Sequence, residues 1–547
     1  MSDTKTNNHN FRRPRYWVPL IAAVMFAGGM WLGVFLNSLH RESPGEEKLR
    51  ALLSLIREAY VYEVDIDSLI EKSIPGILAN LDPHSAYIPA SQLEDVNTSL
   101  RGSFSGVGIQ FQIYRDTINV VEIVAGGPAE KAGLMAGDRI VRVDKKNMTG
   151  KWLNEDSVRN NLRGSRLSRV HLTVVRPSKP GKQLKYTLVR DDIPVVSVDT
   201  YYMLDKNTGY VKVNNFGEQT YTQFMKAMAQ LRSQGAKSYV LDLRGNTGGY
   251  METAILMVNE FLEGGLNIVE TRGRAMHDEI VSSDGTGAFT NEPLVVLIDE
   301  MSASSSEIFS GAIQDHDRGL VIGRRSFGKG LVQRPISFTD GSELRLTVQR
   351  YYTPSGRSIQ KEYKPGKNED YELEVFERFR NGESMNADSV KLHKELLFNT
   401  DNGRPVYGGG GIMPDIFIPE DTTGITGYYL DVANKGLPMD FAYEYCDLNR
   451  SDLSGVRDLS QLMSRLPPDD VLLSSFVYYA TTRGVPARWY YIKQSRKLIV
   501  SQIKALIARN VLGLPAYYRV ILKDDANIRR ALDEIHKGNA TAPVGKK

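Results

Sequence analysis

The chain has 547 residues, which at roughly 150 residues per domain means three or four domains. Hydrophobic residues make up 41% and charged residues 24%, which is enough apolar material for large cores and excludes global disorder. Lys and Arg number 68 against 65 Asp and Glu, with no basic stripe, so no nucleic-acid partner is expected; the single cysteine, Cys446, excludes an intrachain disulfide and a multi-cysteine zinc site.

Residues 16–36 (YWVPLIAAVMFAGGMWLGVFL) carry no charge and at helical rise reach about 31 Å, enough for the hydrocarbon core of a bilayer. Arg12, Arg13 and Arg15 precede them, which by the positive-inside rule keeps residues 1–15 in the cytoplasm. The run ends in FLNSLHRES, a poor cleavage site, so a retained single-pass anchor in the inner membrane is expected, with the rest of the chain on the periplasmic side. Gly29 and Gly33 form a weak GxxxG pairing signal within it.

Residues 45–98 are expected to be mainly helical, because apolar residues from Glu46 to Leu81 recur at helical spacing. From 99 to 191, glycine-rich loops separate short β-branched runs such as DTINVVEIV and VHLTVVR. Over 192–420 strands and helices alternate, as in SYVLDLR, METAILMVNEFL, PLVVLID and SSEIFSGAIQDH, which predicts an α/β core with buried strands. Residues 425–547 turn helical again, in VLLSSFVYYATTRG and RWYYIKQSRKLIVSQIKALIARNVLG. The expected architecture is therefore multidomain α/β between two helical regions.

In SFSGVGIQFQI, Gly106, Val107 and Gly108 lead into a strand containing Ile109 and Phe111. Glycine-loop N–H groups can hold a carboxylate, and an exposed strand edge lets an extended peptide add by main-chain hydrogen bonds. With GPAEKAGLMAGDRIVRVD over 127–144, this stretch resembles a PDZ domain, which implies capture of a protein C-terminus.

Further on, SYVLDLR runs into Gly245, Asn246, Thr247, Gly248 and Gly249, a turn whose N–H groups suit an oxyanion hole. PLVVLID is followed by Ser302, Ser304, Ser305 and Ser306 at a strand-to-helix transition. Such a serine can be a nucleophile near a helix N-terminus, although Ser304 with Glu307 also fits the S-x-x-E helix cap. Lys329 stands between two glycines after an apolar strand, where desolvation would lower its pKa and make it a general base. Gly323–Lys329 also matches the first seven positions of a P-loop, but Gly330 replaces the magnesium-binding Ser or Thr.

Five segments together resemble the C-terminal processing peptidases, also called tail-specific proteases: LDPHSAYIP, LDLRGNTGG, SASSSEIF, SFGKGLVQ and GRPVYGGGGIMPDI. The resemblance covers roughly residues 45–420, in the family's order. It implies a crotonase-like α/β serine protease core with the PDZ module inserted before it. It also implies Ser304 as nucleophile, Lys329 as base, Gln333 orienting that lysine, and oxyanion donors from Ser305 N–H and from Gly248 or Gly249. Ser305 departs from the family's usual alanine, which leaves a backbone donor intact. No metal or organic cofactor is implied. Implied substrates are proteins with loosely folded tails, cleaved near their C-termini through an acyl-enzyme. The alternative, a PDZ scaffold without proteolytic activity, would have lost Ser304 or Lys329, and both are present. For the terminal helices a homodimer interface, a cover over the site or a partner surface are the roles expected.

Overall fold

The computed structural model describes residues 17–39, 43–124, 126–176 and 181–540, and the chain divides into two compact units, 1–77 and 78–547. The first contains the helices Trp17–Leu39 and Pro44–Ala59 and most of Ile66–Leu78. Pro44–Ala59 begins with a capping box: Glu46 N–H donates to Ser43 Oγ, and Ser43 N–H donates to Glu46 Oε2. Residues 1–15 and Tyr16, assigned above to a cytoplasmic tail and the start of an anchor, lie outside the described residues. Among the described residues no helix is long and apolar enough to cross a membrane. The expected span is thus without structural support.

In the second unit, the expected helical stretch to residue 98 is interrupted by a strand, Ala86–Ile88. Its register is set by antiparallel pairing with Glu343–Tyr352, a partner too distant in sequence for local periodicity to reveal. The helix Ala90–Arg101 follows and ends at Gly102 with φ +70°, a left-handed cap.

The PDZ sheet has the strand order Ile109–Tyr114, Thr117–Ile123, Arg139–Val143, Arg169–Val175, Gln183–Val189. Ile118, Val120, Ile140, Val170 and Val174 alternate inward and pack against Val158 and Leu162 of the helix Glu155–Leu162. Among the described residues Ile109–Tyr114 is an edge strand, paired only with Thr117–Ile123.

The α/β core is built on a six-stranded sheet: Val198–Met203, Thr208–Val213, Ser238–Asp242, Leu294–Ile298, Leu320–Gly323 and Ile416–Phe417. All neighbouring pairs are parallel except the first. Ser238–Asp242 and Leu294–Ile298 are buried at every position, as strands covered on both faces must be. One face packs on Phe224, Met257 and Phe309 of three helices, Thr220–Ser233, Met251–Asn259 and Ser305–Asp315. The other face, with Val240, Val295, Leu297 and Ile322, is covered by Ile528, Ala531 and Ala540. A second sheet centres on Glu343–Tyr352, which pairs with Ala86–Ile88, Asn267–Arg272 and Leu331–Ser337.

Residues 425–540 are helical and serve two ends. Gly427–Asn434, Leu437–Leu448, Asp469–Thr482 and Trp489–Leu512 share a core around Phe441, Phe476, Ile492 and Ile503. Leu514–Ile521 bridges to the α/β core, with Ala516 in the helical core and Tyr518 Oη donating to Asp199 Oδ2 at 2.6 Å, and Ala526–His536 belongs to the α/β core, where Leu294 N–H donates to Ala540 O at 3.1 Å.

Candidate active site

A cleft of about 800 Å³ is walled by Ser304, Lys329, Gln333, Gly248, Arg345 and Tyr351, among others. The strand Leu294–Ile298 delivers the serine run to its rim, and there the backbone bends sharply. Ser304 has φ +54° and ψ −114°, an unusual conformation for a residue with a side chain, immediately before the helix Ser305–Asp315. A strained turn between strand and helix is how a nucleophile is lifted out of a sheet.

The other three serines are spoken for. Ser302 Oγ donates to Leu243 O at 2.9 Å, Ser305 Oγ to Gly249 O at 2.9 Å and Ser306 Oγ to Asn246 O at 2.8 Å. Ser304 alone of the four lines the cleft.

Glu307, with no exposure to water, ties the site together. Its Oε2 accepts from Ser304 N–H and from Lys329 N–H, each at 2.9 Å, and its Oε1 accepts from Gly328 N–H at 2.7 Å and Ser326 Oγ. One carboxylate thus holds the backbone of both predicted catalytic residues. Burial raises its pKa, and these four donors oppose the rise. Tyr351 adds a second tie, its hydroxyl shared between Ser304 O at 3.2 Å and Lys329 O.

Lys329 is half-buried. Burial lowers its pKa below the ordinary lysine value; Glu307 and Asp82 pull it up and Arg345 pushes it down. Among the described residues no hydrogen bond joins Ser304 Oγ to Lys329 Nζ, a looseness common before substrate binds. A second lysine with a lowered pKa, Lys361, is brought to about 8 chiefly by burial. It does not line the cleft: Nζ sits 3.9 and 4.1 Å from the ring centres of Phe327 and Tyr371 and 2.9 Å from Glu374.

Gln333 turns its amide to Thr347 Oγ1 at 3.2 Å, and Thr347 Oγ1 donates to Asp82 Oδ1 at 2.9 Å. His84 in the same segment meets Tyr371 Oη at 2.9 Å; burial and the charge of Lys329 lower its pKa to about 4, so it is neutral. LDPHSAYIP is therefore wired into the site, a role its sequence alone did not announce. Cys446 lies in the terminal helical core, where burial pushes its thiol up to about 12 and keeps it protonated.

Gly248 and Gly249 both line the cleft. Gly248, at φ +103°, is the one against the nucleophile: a Cβ there would fall 2.8 Å from Ser304 Cβ and 3.1 Å from Ser305 N. Its own N–H is given to Asn246 Oδ1 at 2.9 Å. The turn is anchored from behind by Asp242, whose carboxylate takes Arg244, Lys212 and Tyr210 Oη, while Arg244 also pairs with Asp525 at 2.8 Å. Burial works to raise the Asp242 pKa, but the two cations outweigh it and hold the carboxyl below its ordinary range.

In the PDZ domain, Gly106, Val107, Gly108, Ile109 and Phe111 all line one cavity of about 120 Å³ between the edge strand and Leu162 of the helix Glu155–Leu162.

Residues 207–373 match Peptidase family S41, residues 120–176 match the PDZ domain, and residues 428–513 match a family of unknown function. The carboxy-terminal-processing protease of Bartonella bacilliformis is 41% identical over 310 residues, covering 56% of this chain and 70% of that protein. The carboxy-terminal processing protease CtpA of Bacillus subtilis is 34% identical over 316 residues, covering 58% of this chain and 66% of that protein. Among solved structures, the photosystem II D1 C-terminal processing protease aligns at 29% identity and a TM-score of 0.32 over 56% of this chain and 88% of its own. With a serine at the mouth of the cleft and a PDZ domain ahead of the core, the chain belongs to the carboxy-terminal processing proteases of peptidase family S41 and is a serine-type peptidase.

Proposed function

We propose that this peptidase cleaves proteins near their C-termini with Ser304 as nucleophile and Lys329 as general base. The observation that carries the reading is that Ser304, alone of its run, faces the cleft that Lys329 lines, while Glu307 fixes both backbones. Neutral Lys329 takes the Ser304 proton as Oγ bonds to the carbonyl carbon. The oxyanion is received by Ser305 N–H and by Gly248, whose N–H must turn from Asn246 Oδ1 to do so. The lysine ammonium then protonates the amine as the C–N bond breaks, and water, deprotonated by the same lysine, hydrolyses the ester. Gln333 would reach Lys329 by leaving Thr347. The tail adds to the free edge of Ile109–Tyr114, its carboxylate at Gly106–Gly108 and its last side chain beside Ile109 and Phe111.

Labelling with a serine-reactive fluorophosphonate, followed by mass mapping, tests this. The adduct is expected on Ser304 and should be absent from Ser304→Ala; an adduct on another serine would overturn the assignment. Membrane anchoring through residues 16–36 is proposed from their lack of charge; carbonate-resistant membrane association that is lost on deleting them is the expected outcome.

A further inference from the structure

The helix Leu437–Leu448 has two faces. Leu437, Phe441 and Ala442 pack into the terminal helical core. Asp440, Tyr443, Glu444 and Asp447, spaced i, i+3, i+4 and i+7, form a stripe that meets the PDZ sheet. Tyr443 Oη donates to Asn119 Oδ1 at 2.9 Å; Asn119 has no exposure, and its amide already serves Tyr114 O and Thr117 O. Tyr114 Oη donates to Glu444 Oε2 at 2.6 Å, and the Tyr114 and Tyr443 rings lie 5.2 Å apart. Arg139 reaches Asp447 at 2.6 Å, and Arg450, just past the helix, donates to Ala136 O at 3.2 Å.

Two features give this contact weight. Its centre is a buried hydroxyl–amide bond flanked by two rings tilted at 48° to each other, not only exposed ion pairs of little net value. And none of its PDZ residues lines the peptide cavity, so the groove stays open while the sheet is held. At its other end the same helical region is fixed to the catalytic core by Tyr518 on Asp199, Asp525 on Arg244, and Ile528 beneath the central sheet.

We propose that Leu437–Leu448 is a brace that fixes the PDZ domain to the catalytic core, so that a captured tail is cut at a set distance from its C-terminus. This gives residues 428–513 a role as the arm of a molecular ruler, and it rests on the reading of the PDZ domain as the tail-binding module. Small polar contacts between domains ordinarily leave them mobile; a buried, continuous one does not.

The test uses the full chain with Tyr443→Phe, Glu444→Gln and Asp447→Asn combined, none of which lines the cleft or the groove; Tyr443→Phe alone serves if the triple variant does not fold. Spin labels at Lys185→Cys in the PDZ domain and Lys226→Cys in the core, in a Cys446→Ala background, report the distance between the two. Mass spectrometry of products from a protein with a free-acid tail reports where the cut falls. The parent should show one narrow distance and one dominant product. The variant should show a broadened distance and lose the dominant product in favour of cuts on either side, with hydrolysis of a short ester unchanged. Unchanged distances, or broadened distances with the same product, would overturn the proposal. Equal cutting of free-acid and amidated tails by the parent would overturn the ruler together with the tail-binding reading; the distance measurement needs no substrate, so it separates that failure from failure of the brace.

Discussion

Ser302, Ser304 and Ser306 lie within five residues, and their surroundings set them apart. Ser304→Ala should lower kcat/KM by about 10⁴-fold or more, as loss of a covalent nucleophile does, with folding unchanged. Ser302→Ala and Ser306→Ala strip a donor from a buried carbonyl, so each should cost about 1–3 kcal/mol in denaturant unfolding and far less activity. On the proposed mechanism the neutral form of Lys329 is the base, so kcat/KM should rise with pH through a pKa below that of ordinary lysine. Lys329→Arg should be nearly as inactive as Lys329→Ala, because arginine keeps its proton. Arg345→Gln removes a positive charge that disfavours the ammonium; the acid limb of the pH profile should therefore move to higher pH, and a limb that stays put would show Arg345 screened from Lys329. Ser304 and Lys329 could be singled out in the sequence because their motifs are local, and the structure brings both to one cleft. Glu307 was in plain sight, but S-x-x-E reads equally as a helix cap, and only the fold shows its second oxygen and the loop at Gly328 sharing one buried carboxylate. Tyr351 and Thr347 gave no local signal, and although Asp82 stands in LDPHSAYIP, its contact with Thr347 spans 265 residues of chain and could not be read from that segment.

Elements with continuous apolar runs, such as Leu294–Ile298 and Leu320–Gly323, were readable as buried strands, and the helix Ser305–Asp315 was placed by its serine cap. Ala86–Ile88 was not, because three residues carry no period and their strand character comes from a distant partner. The PDZ edge strand was legible from its glycines, and it carries a prediction of its own. Amidating a substrate tail removes the charge that the Gly106–Gly108 loop would meet and should lower kcat/KM roughly tenfold or more, at about 1.5–3 kcal/mol for a charge-assisted hydrogen bond. Ile109→Asp should give a similar loss on the native tail by spoiling the apolar cavity. Short peptides confined to the Ser304 cleft should respond little to either change, and steady-state kinetics on matched substrates measures both.

At the scale of the whole molecule, the terminal helices were legible as helices but not as part of the core. Strands buried on both faces announce that something covers each face without saying which segment does so. Ile528 is that cover, and burying one such side chain contributes about 1.5–3 kcal/mol. A chain ending at Gly513 would bare Val240, Val295, Leu297 and Ile322, so it should melt at lower temperature, bind a hydrophobic dye and fail to hydrolyse a short ester. Asp525 would be missing too, leaving Arg244, the residue before the Gly245–Gly249 turn, without its outer carboxylate. This bears on the order of events during synthesis. Ribosomes make Ser304 and Lys329 long before Asp525 and Ile528, so a nascent chain carries the proposed nucleophile and base well ahead of the pieces that seat the Gly245–Gly249 turn. A nascent chain should therefore begin to cut only once Asp525 and Ile528 have emerged, which arrested ribosome complexes of graded length, assayed on a short ester, would show.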